Sequence, residues 1–130
     1  MRFSIILPFF NAIESLKEAL DSIHNQSFIG DYEVLLINDA SNDGSYELAL
    51  RESKNYSKLS LLDTKSPLPL GPGFARNMAL KKARGEYIVF LDADDLLEKD
   101  ALQELDRALL KNDFDTLVYG LGGAELKEKI

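Results

Sequence analysis

Three aspartates stand within four positions at the end of the segment GEYIVFLDADD, which extends from Gly85 to Asp95. Carboxylates this close repel one another, and removing them from water is costly unless a cation compensates. Mg²⁺ and Mn²⁺ prefer oxygen ligands and bind through one or two carboxylates together with phosphate and water. The alternative is a solvated turn whose aspartates cap the next helix. The apolar strand that precedes Asp92 and Asp94 favours the metal site.

Two further segments contain residues suited to binding a nucleotide. Asp39 follows the apolar run EVLLIN, where its carboxylate can accept a hydrogen bond from a base, although ASNDGS behind it also forms good turns and caps. In GPGFARN, Arg76 lies on the first turn of a predicted helix and suits a phosphate at the helix N-terminus. That segment lacks the third glycine of the dinucleotide fingerprint, so alone it also fits a Pro-Gly turn. His24 is the single histidine, and we interpret it as structural.

Composition and charge restrict the classes of partner. The chain has 130 residues, 45% of them hydrophobic, which suits one globular domain. A formal net charge of −7 argues against nucleic acid or an anionic membrane surface as the main partner. It also implies that a phosphorylated ligand needs a cation between itself and the protein. The absence of cysteine excludes disulfides and thiolate chemistry and is compatible with the cytosol.

Strands and helices alternate along the sequence. Pro8 and Asn11 are predicted to end the first strand, which we prefer to a signal peptide at the start of the chain. No apolar run approaches the ~20 residues of a transmembrane segment. The tail GGAELKEKI is predicted to be polar and frayed. Apolar runs predict strands at 3–7, EVLLIND, KLSLLDT, EYIVFL and DTLVYG, and helical periodicity or composition predicts helices over 13–23, SYELALRES, FARNMALKKA and 101–109.

This alternation predicts an α/β fold with a mostly parallel, twisted, Rossmann-like sheet and helices on both faces. The fourth strand, EYIVFL, is predicted to be buried on both faces. In such sheets, ligands bind outside the carboxyl ends of the strands. Asn11, Asp39 and Asp92 follow the first, second and fourth strands, so the sequence predicts one site at that edge.

The chain resembles the family-2 inverting glycosyltransferases, which have the GT-A fold. The resemblance rests on SIILPFFN, EVLLINDASNDGS, GPGFARNMAL and GEYIVFLDADD, which occur in the family's order and at about its spacing between Phe3 and Tyr119. It implies a donor-binding domain over 1–120, followed by a polar tail or the start of an acceptor half over 121–130. The chain then looks truncated after about five strands.

The resemblance also implies roles for single residues. Asp39 would recognise the uracil of a UDP-sugar, and Arg76 would lie near the nucleotide. Asp92 would face the ribose, and Asp94 would hold Mn²⁺ or Mg²⁺, with Asp92 as a second metal-site residue. The implied nucleotide-sugar-binding residues are Pro8, Phe9, Phe10, Asn11, Asp39, Arg76, Asp92, Ala93 and Asp94.

No catalytic base is identified in this sequence, and the resemblance places it beyond Ile130. The implied activity is hexosyl transfer in polysaccharide biosynthesis, to a glycan or lipid-linked acceptor, and we expect this chain alone to be inactive in transfer. A non-catalytic nucleotide-binding or scaffolding module is the alternative. We expect a cytoplasmic protein, with peripheral attachment to the inner face of the membrane as an option for a longer form. The oligomeric state stays open, a homodimer included.

Overall fold

The structure is a computed structural model that describes residues 1–111, 116–120 and 123–127. Strand and helix alternate, as the sequence predicts. The elements are β1 (Phe3–Phe9), α1 (Leu16–His24), β2 (Tyr32–Asn38), α2 (Ser45–Asn55), β3 (Leu59–Asp63), α3 (Pro72–Leu80), β4 (Tyr87–Phe90), α4 (Ala101–Lys111), β5 (Thr116–Gly120) and β6 (Gly123–Lys127). In the described part of the chain, none of these helices has the length and hydropathy needed to cross a membrane.

The first four strands form one sheet in the order β3-β2-β1-β4, and every neighbouring pair is parallel. This confirms the predicted α/β fold with a parallel sheet. Connections between parallel strands need crossovers, and α1, α2 and α3 supply them. The carboxyl ends of the strands therefore meet at one edge, where the loops after β1, β2 and β4 come together.

The core lies on both faces of the sheet because side chains alternate along each strand. Ile5 and Leu7 of β1 belong to a large apolar cluster with α1, α2 and α4. Ile6 points the other way and packs with Ala75 and Ala79 of α3 in a smaller cluster. The small alanine side chains let α3 approach β1 and β2 closely, which places the start of α3 beside the ends of those strands.

The structure corrects the prediction that the fourth strand is buried on both faces. Val89 is buried, but Ile88 is 36% exposed and Phe90 is 53% exposed. In the described part of the chain β4 is one of the two edge strands of its sheet, with β3 at the other edge. Since α3 packs over β1 and β2, it leaves that face of β4 uncovered. An apolar strand sequence alone does not show whether a neighbouring element covers it.

The sequence predicted that Pro8 ends the first strand, and this is wrong. Strand β1 continues to Phe9, and Pro8 pairs with Ile37 of β2. Proline lacks the N–H needed for a sheet ladder. The carbonyl of Phe9 accepts a hydrogen bond from the N–H of Asp39 on the β2 side, and the carbonyl of Ile6 accepts one from the N–H of Leu91 on the β4 side. Successive residues of β1 therefore direct their backbone groups to β2 and β4 in turn. Pro8 thus faces the β4 side, where strand pairing has already ended.

The fifth predicted strand is present as β5, but it pairs with β6 in a separate antiparallel sheet. The prediction of a frayed tail from 122 onward is therefore wrong for Gly123–Lys127, which form β6. Pairing between segments adjacent in sequence closes only a short loop and costs little entropy. The division of the chain into a donor half and the start of an acceptor half stays a prediction.

Candidate functional site

A cavity of about 310 Å³ opens at the carboxyl edge of the sheet. The ends of β1 and β2 and the loop before α3 form its walls. Most of the lining is proline and phenylalanine, and such apolar walls with few polar groups are typical of small-molecule sites. The lining residues are Pro8, Phe9, Phe10, Asp39, Pro69, Gly71 and Pro72. The structure thus brings four of the predicted site residues together.

Asp39 is the acidic group of this cavity, and it is only 4% exposed. Its carboxylate accepts hydrogen bonds from the backbone N–H groups of Leu70, at 2.9 and 3.1 Å, and of Gly71, at 2.8 Å. The hydroxyl of Thr64 approaches the same carboxylate at 3.4 Å. Backbone donors satisfy the buried charge, as a stable structure requires. Asp39 therefore fastens the loop that forms the opposite wall of the cavity.

The loop residues Pro69, Gly71 and Pro72 also line the cavity, and they were not among the site residues predicted from the sequence. Gly71 has a φ of 99°, a conformation that side chains rarely adopt, and Pro72 begins α3. The density of proline and glycine indicates a rigid loop. The direction in which the loop folds depends on its hydrogen bonds to Asp39, which is more than 30 positions away.

Asn11, predicted to line the nucleotide pocket, joins two loops in the structure. Its side-chain oxygen accepts a hydrogen bond from the backbone N–H of Asn42 at 2.7 Å. Its own N–H donates to the hydroxyl of Ser41 at 3.0 Å, and its φ of 47° lies in the left-handed region. Asparagine tolerates that conformation better than most residues. Asn11 therefore holds the loop after β1 against the loop after β2.

Asp43 links the same two loops from the other side. It accepts hydrogen bonds from the N–H of Ile13 at 3.1 Å and from the N–H and hydroxyl of Ser45 at 3.0 and 2.7 Å. Burial alone would raise the pKa of the Asp43 carboxyl. The hydrogen bonds from Ser45 and Ile13 stabilise the carboxylate and outweigh burial, so this pKa lies below its usual value.

The acidic residues after β4 form a cluster that suits a metal ion. One carboxylate oxygen from each of Asp92, Asp94 and Asp95 lies within 4.8 Å of the other two. Oxygens around one Mg²⁺ ion, bound at about 2.1 Å, lie up to about 4.2 Å apart. Small rotations of these exposed side chains are therefore enough to surround an ion. Asp95 was not among the predicted metal-site residues, although the sequence DADD shows it.

Ala93 separates the two aspartates of this cluster that the sequence analysis singled out. Its side chain is partly buried and packs against the main apolar core. The backbone N–H of Asp95 donates to the carbonyl of Asp92 at 3.0 Å, which closes a turn. The core contact of Ala93 leaves Asp92 and Asp94, one position to either side of it, exposed to solvent. The residue between the aspartates thus has an anchoring role in the structure.

Arg76 extends from α3 toward the acidic cluster. One terminal nitrogen of its guanidinium donates to a carboxylate oxygen of Asp92 at 3.0 Å. The guanidinium carbon also lies 5.7 Å from the centre of the Phe90 ring, within range of a cation–π contact. The sequence predicted Arg76 beside the nucleotide. The structure places it against the acidic cluster, between α3 and the end of β4.

Comparison with known proteins places the chain in context. The model of the family described as Glycosyl transferase family 2 matches residues 4–129. Poly(ribitol-phosphate) beta-N-acetylglucosaminyltransferase TarS of Staphylococcus aureus (strain Mu50) is 34% identical over 125 residues, a match that covers 95% of this chain and 21% of that protein. The chain thus spans about a fifth of the length of this relative.

Two solved structures are similar in fold. The crystal structure of S. aureus TarS 1-349 in complex with UDP-GlcNAc matches with a TM-score of 0.82 and 31% identity, over 88% of this chain and 33% of that one. The mannosyltransferase PcManGT from Pyrobaculum calidifontis, in complex with GDP-Man and Mn²⁺, matches with a TM-score of 0.77 and 30% identity, over 92% and 35% of the two chains.

Proposed function

This chain belongs to glycosyl transferase family 2, and from that membership we propose that it binds a UDP-sugar, the donor of an inverting sugar transfer, together with a divalent cation. The observation that carries the proposal is the cavity at the carboxyl edge of the sheet, with buried Asp39 in an otherwise apolar wall. In the similar TarS structure the ligand is UDP-GlcNAc.

Base recognition is assigned to the cavity. Uracil carries one N–H donor on its pairing edge, and a carboxylate has about four acceptor positions. The N–H groups of Leu70 and Gly71 and the hydroxyl of Thr64, at 3.4 Å, use most of this capacity, so a base would share the carboxylate with them or take the place of the long Thr64 contact. The apolar side of Pro8 and the half-exposed ring of Phe10, both in the cavity lining, suit the faces of a planar ring. Base contacts and loop contacts would then share one carboxylate.

The diphosphate and its cation are assigned to the acidic cluster. Asp94 and Asp92, with Asp95 beside them, would hold Mn²⁺ or Mg²⁺, since three carboxylates suit a hard cation. A cation bound there would neutralise the departing UDP as a Lewis acid. The residues of this chain would orient the donor, with Asp92 toward the ribose. The acceptor, a glycan or a lipid-linked sugar, and the base that activates it are not assigned to the described residues.

Isothermal titration calorimetry with UDP, ADP and GDP, each with Mn²⁺ or with EDTA, tests the proposal. We expect UDP to bind more tightly than the purine nucleotides and to require the metal. Ligand at 100 times its dissociation constant should stabilise the fold by about 2.7 kcal/mol, which thermal unfolding measures independently.

Asp94→Asn is the informative variant for the metal, because it removes one anionic oxygen from the cluster and changes little else. Asp31→Asn is its matched control, since Asp31 is exposed and precedes β2 at the opposite edge of the sheet. We expect only Asp94→Asn to remove the metal dependence of UDP binding.

Equal UDP affinity with Mn²⁺ and with EDTA would refute the metal assignment. Equal affinity for all three nucleotides would refute the uracil assignment. Absence of binding by any nucleotide would favour the scaffolding module.

A further inference from the structure

Arg76 is the residue that forms an ion pair with the acidic cluster in the described part of the chain. Its side chain is 34% exposed, whereas that of Asp92 is 57% exposed, so the pair lies at the surface with the arginine as the more enclosed partner. The ring of Phe90 covers the guanidinium. These contacts hold a positive charge beside three carboxylates that would otherwise repel one another.

The hydrogen bonds of Arg76 are incomplete in this position. Its Nε is buried and has no hydrogen-bond partner among the described residues. The contact with Asp92 uses one terminal nitrogen only, although a guanidinium can form two parallel bonds with a carboxylate or a phosphate. A phosphate presents several acceptor oxygens. A phosphate ligand could therefore give the guanidinium of Arg76 more hydrogen bonds than Asp92 does.

We propose that Arg76 is a positioning residue with two partners: it is the internal cation of the acidic cluster while no metal is bound, and it passes to the diphosphate of the ligand once a metal takes its place beside Asp92. The inference rests on the proposed function for the identity of the ligand. It goes further because it makes Arg76 and the metal competitors for Asp92. The arginine would then hold Asp92 in place before the ligand arrives.

This exchange predicts opposite effects of one substitution on two ligands. In Arg76→Gln, the metal no longer displaces a cation, so Mn²⁺ alone should bind about two- to fivefold more tightly, as expected for the loss of an exposed ion pair. UDP binding at saturating Mn²⁺ should weaken about tenfold or more, because a charge-assisted hydrogen bond to phosphate is lost. A residue that only bound phosphate would change UDP affinity alone. A merely structural residue would weaken both ligands.

The experiment measures Mn²⁺ affinity without nucleotide by electron paramagnetic resonance of the free ion, and UDP affinity at saturating Mn²⁺ by calorimetry. Arg51→Gln is the matched control, because it removes the same charge from an exposed position on α2, on the other face of the sheet. We expect this control to change neither affinity appreciably. Arg76→Lys, which keeps the charge but not the planar fork, should give changes of the same signs and smaller size, and it replaces Arg76→Gln if that variant does not fold.

A double-mutant cycle of Arg76→Gln and Asp92→Asn, measured by thermal unfolding in EDTA, tests the pair without any metal. Non-additive effects would support Arg76 as the residue that positions Asp92. Additive effects, or unchanged or weaker Mn²⁺ binding by Arg76→Gln, would overturn the inference. If the unsubstituted chain bound no Mn²⁺ with or without UDP, the metal part of the proposed function would be refuted. Coupling in EDTA would then still support the positioning role.

Discussion

At the residue scale, His24 contributes to the packing of α1 against the end of α2. Its half-buried ring stacks on Tyr56 with ring centroids 3.6 Å apart. Burial lowers the pKa of the His24 imidazole, and nearby Lys17 acts in the same direction, while Glu52 and Asp21 oppose the shift without cancelling it. The structure therefore supports the structural role predicted for this histidine.

We predict that the free energy of unfolding falls as the pH is lowered from about 7.5 to about 5.5. Because the pKa of His24 is lowered in the folded protein, the unfolded chain binds a proton at this imidazole more readily. The stability that neutral His24 contributes is therefore present above the unfolded pKa near 6.5 and is lost as the pH falls through the folded pKa. His24→Phe keeps a ring against Tyr56 and should flatten the profile. Urea denaturation of both proteins at several pH values tests this. Parallel profiles would assign the pH dependence to carboxylates instead.

The two side-chain contacts most relevant to ligand binding could not be predicted from sequence. Asp39 and Arg76 were both identified as candidates, because one follows an apolar strand and the other was predicted on the first turn of a helix. The helix starts earlier than predicted, since α3 begins at Pro72 and Arg76 is its fifth residue. Their partners, the Leu70 amide and the Asp92 carboxylate, are 31 and 16 positions away. Local periodicity carries no information on such distant partners, since the whole fold brings them together.

At the element scale, the junction between α3 and β4 packs against the amino ends of β1 and β2. The Gly85 N–H donates to the Ser4 hydroxyl at 2.8 Å, and that hydroxyl donates to the buried Glu33 carboxylate at 2.6 Å. The Arg84 N–H donates to the same carboxylate at 2.7 Å. Burial alone would raise the pKa of Glu33, but these hydrogen bonds and the Arg84 charge lower it. The network holds β4 in register with β1.

Gly85→Ala is predicted to destabilise the fold by about 1–3 kcal/mol or more, the usual range for overpacking. A Cβ atom at Gly85 would lie 2.5 Å from backbone atoms of Phe3 and Ser4, which cannot move as a side chain can. Gly73→Ala is the control, because its Cβ would meet nothing within 4 Å and it lies in α3. Helix propensity predicts a gain of about 0.5–1 kcal/mol there. Chemical denaturation of both variants measures these differences, and equal effects would show that the close approach at Gly85 is easily relieved.

The elements themselves could be predicted, because buried parallel strands and amphipathic helices have distinct patterns. The apolar run at residues 34–37 of β2 and the spacing of Leu16, Leu20 and Ile23 in α1 are examples. Which strands pair was harder to predict. Nothing within DTLVYG distinguishes a fifth parallel strand from the hairpin strand β5, since the choice depends on its partner.

At the scale of the whole molecule, the site identified in the described residues contains groups suited to the donor nucleotide but none assigned to the acceptor. The acidic cluster and the cavity suit a nucleotide and its cation. Inverting transfer also needs a base that accepts the proton of the acceptor hydroxyl, on the side opposite the departing nucleotide. Asp92, Asp94 and Asp95 lie together after β4, so none of them can lie across the sugar from its neighbours.

We therefore predict that this 130-residue chain binds a UDP-sugar yet transfers no sugar to an acceptor. Loss of general-base catalysis typically lowers a rate by ~10²–10⁴-fold, and loss of acceptor positioning lowers it further. Mass spectrometry after incubation with UDP-sugars, Mn²⁺ and a panel of acceptors tests this, with slow hydrolysis of the donor as the expected background. Multiple-turnover formation of a glycoside by the purified chain would show that a base lies within these residues.

The uncovered face of β4 has a consequence for the chain in solution. Among residues 1–111, 116–120 and 123–127, β4 has no strand on its outer side, and an edge strand with exposed side chains such as Ile88 and Phe90 is a template on which another copy can add a strand. The net charge of −7 keeps copies apart at low ionic strength, where the Debye length is ~30 Å at 0.01 M salt, whereas at 1 M it shrinks to ~3 Å. Added salt should thus promote self-association of this chain, so the charge that repels a diphosphate also preserves its colloidal stability.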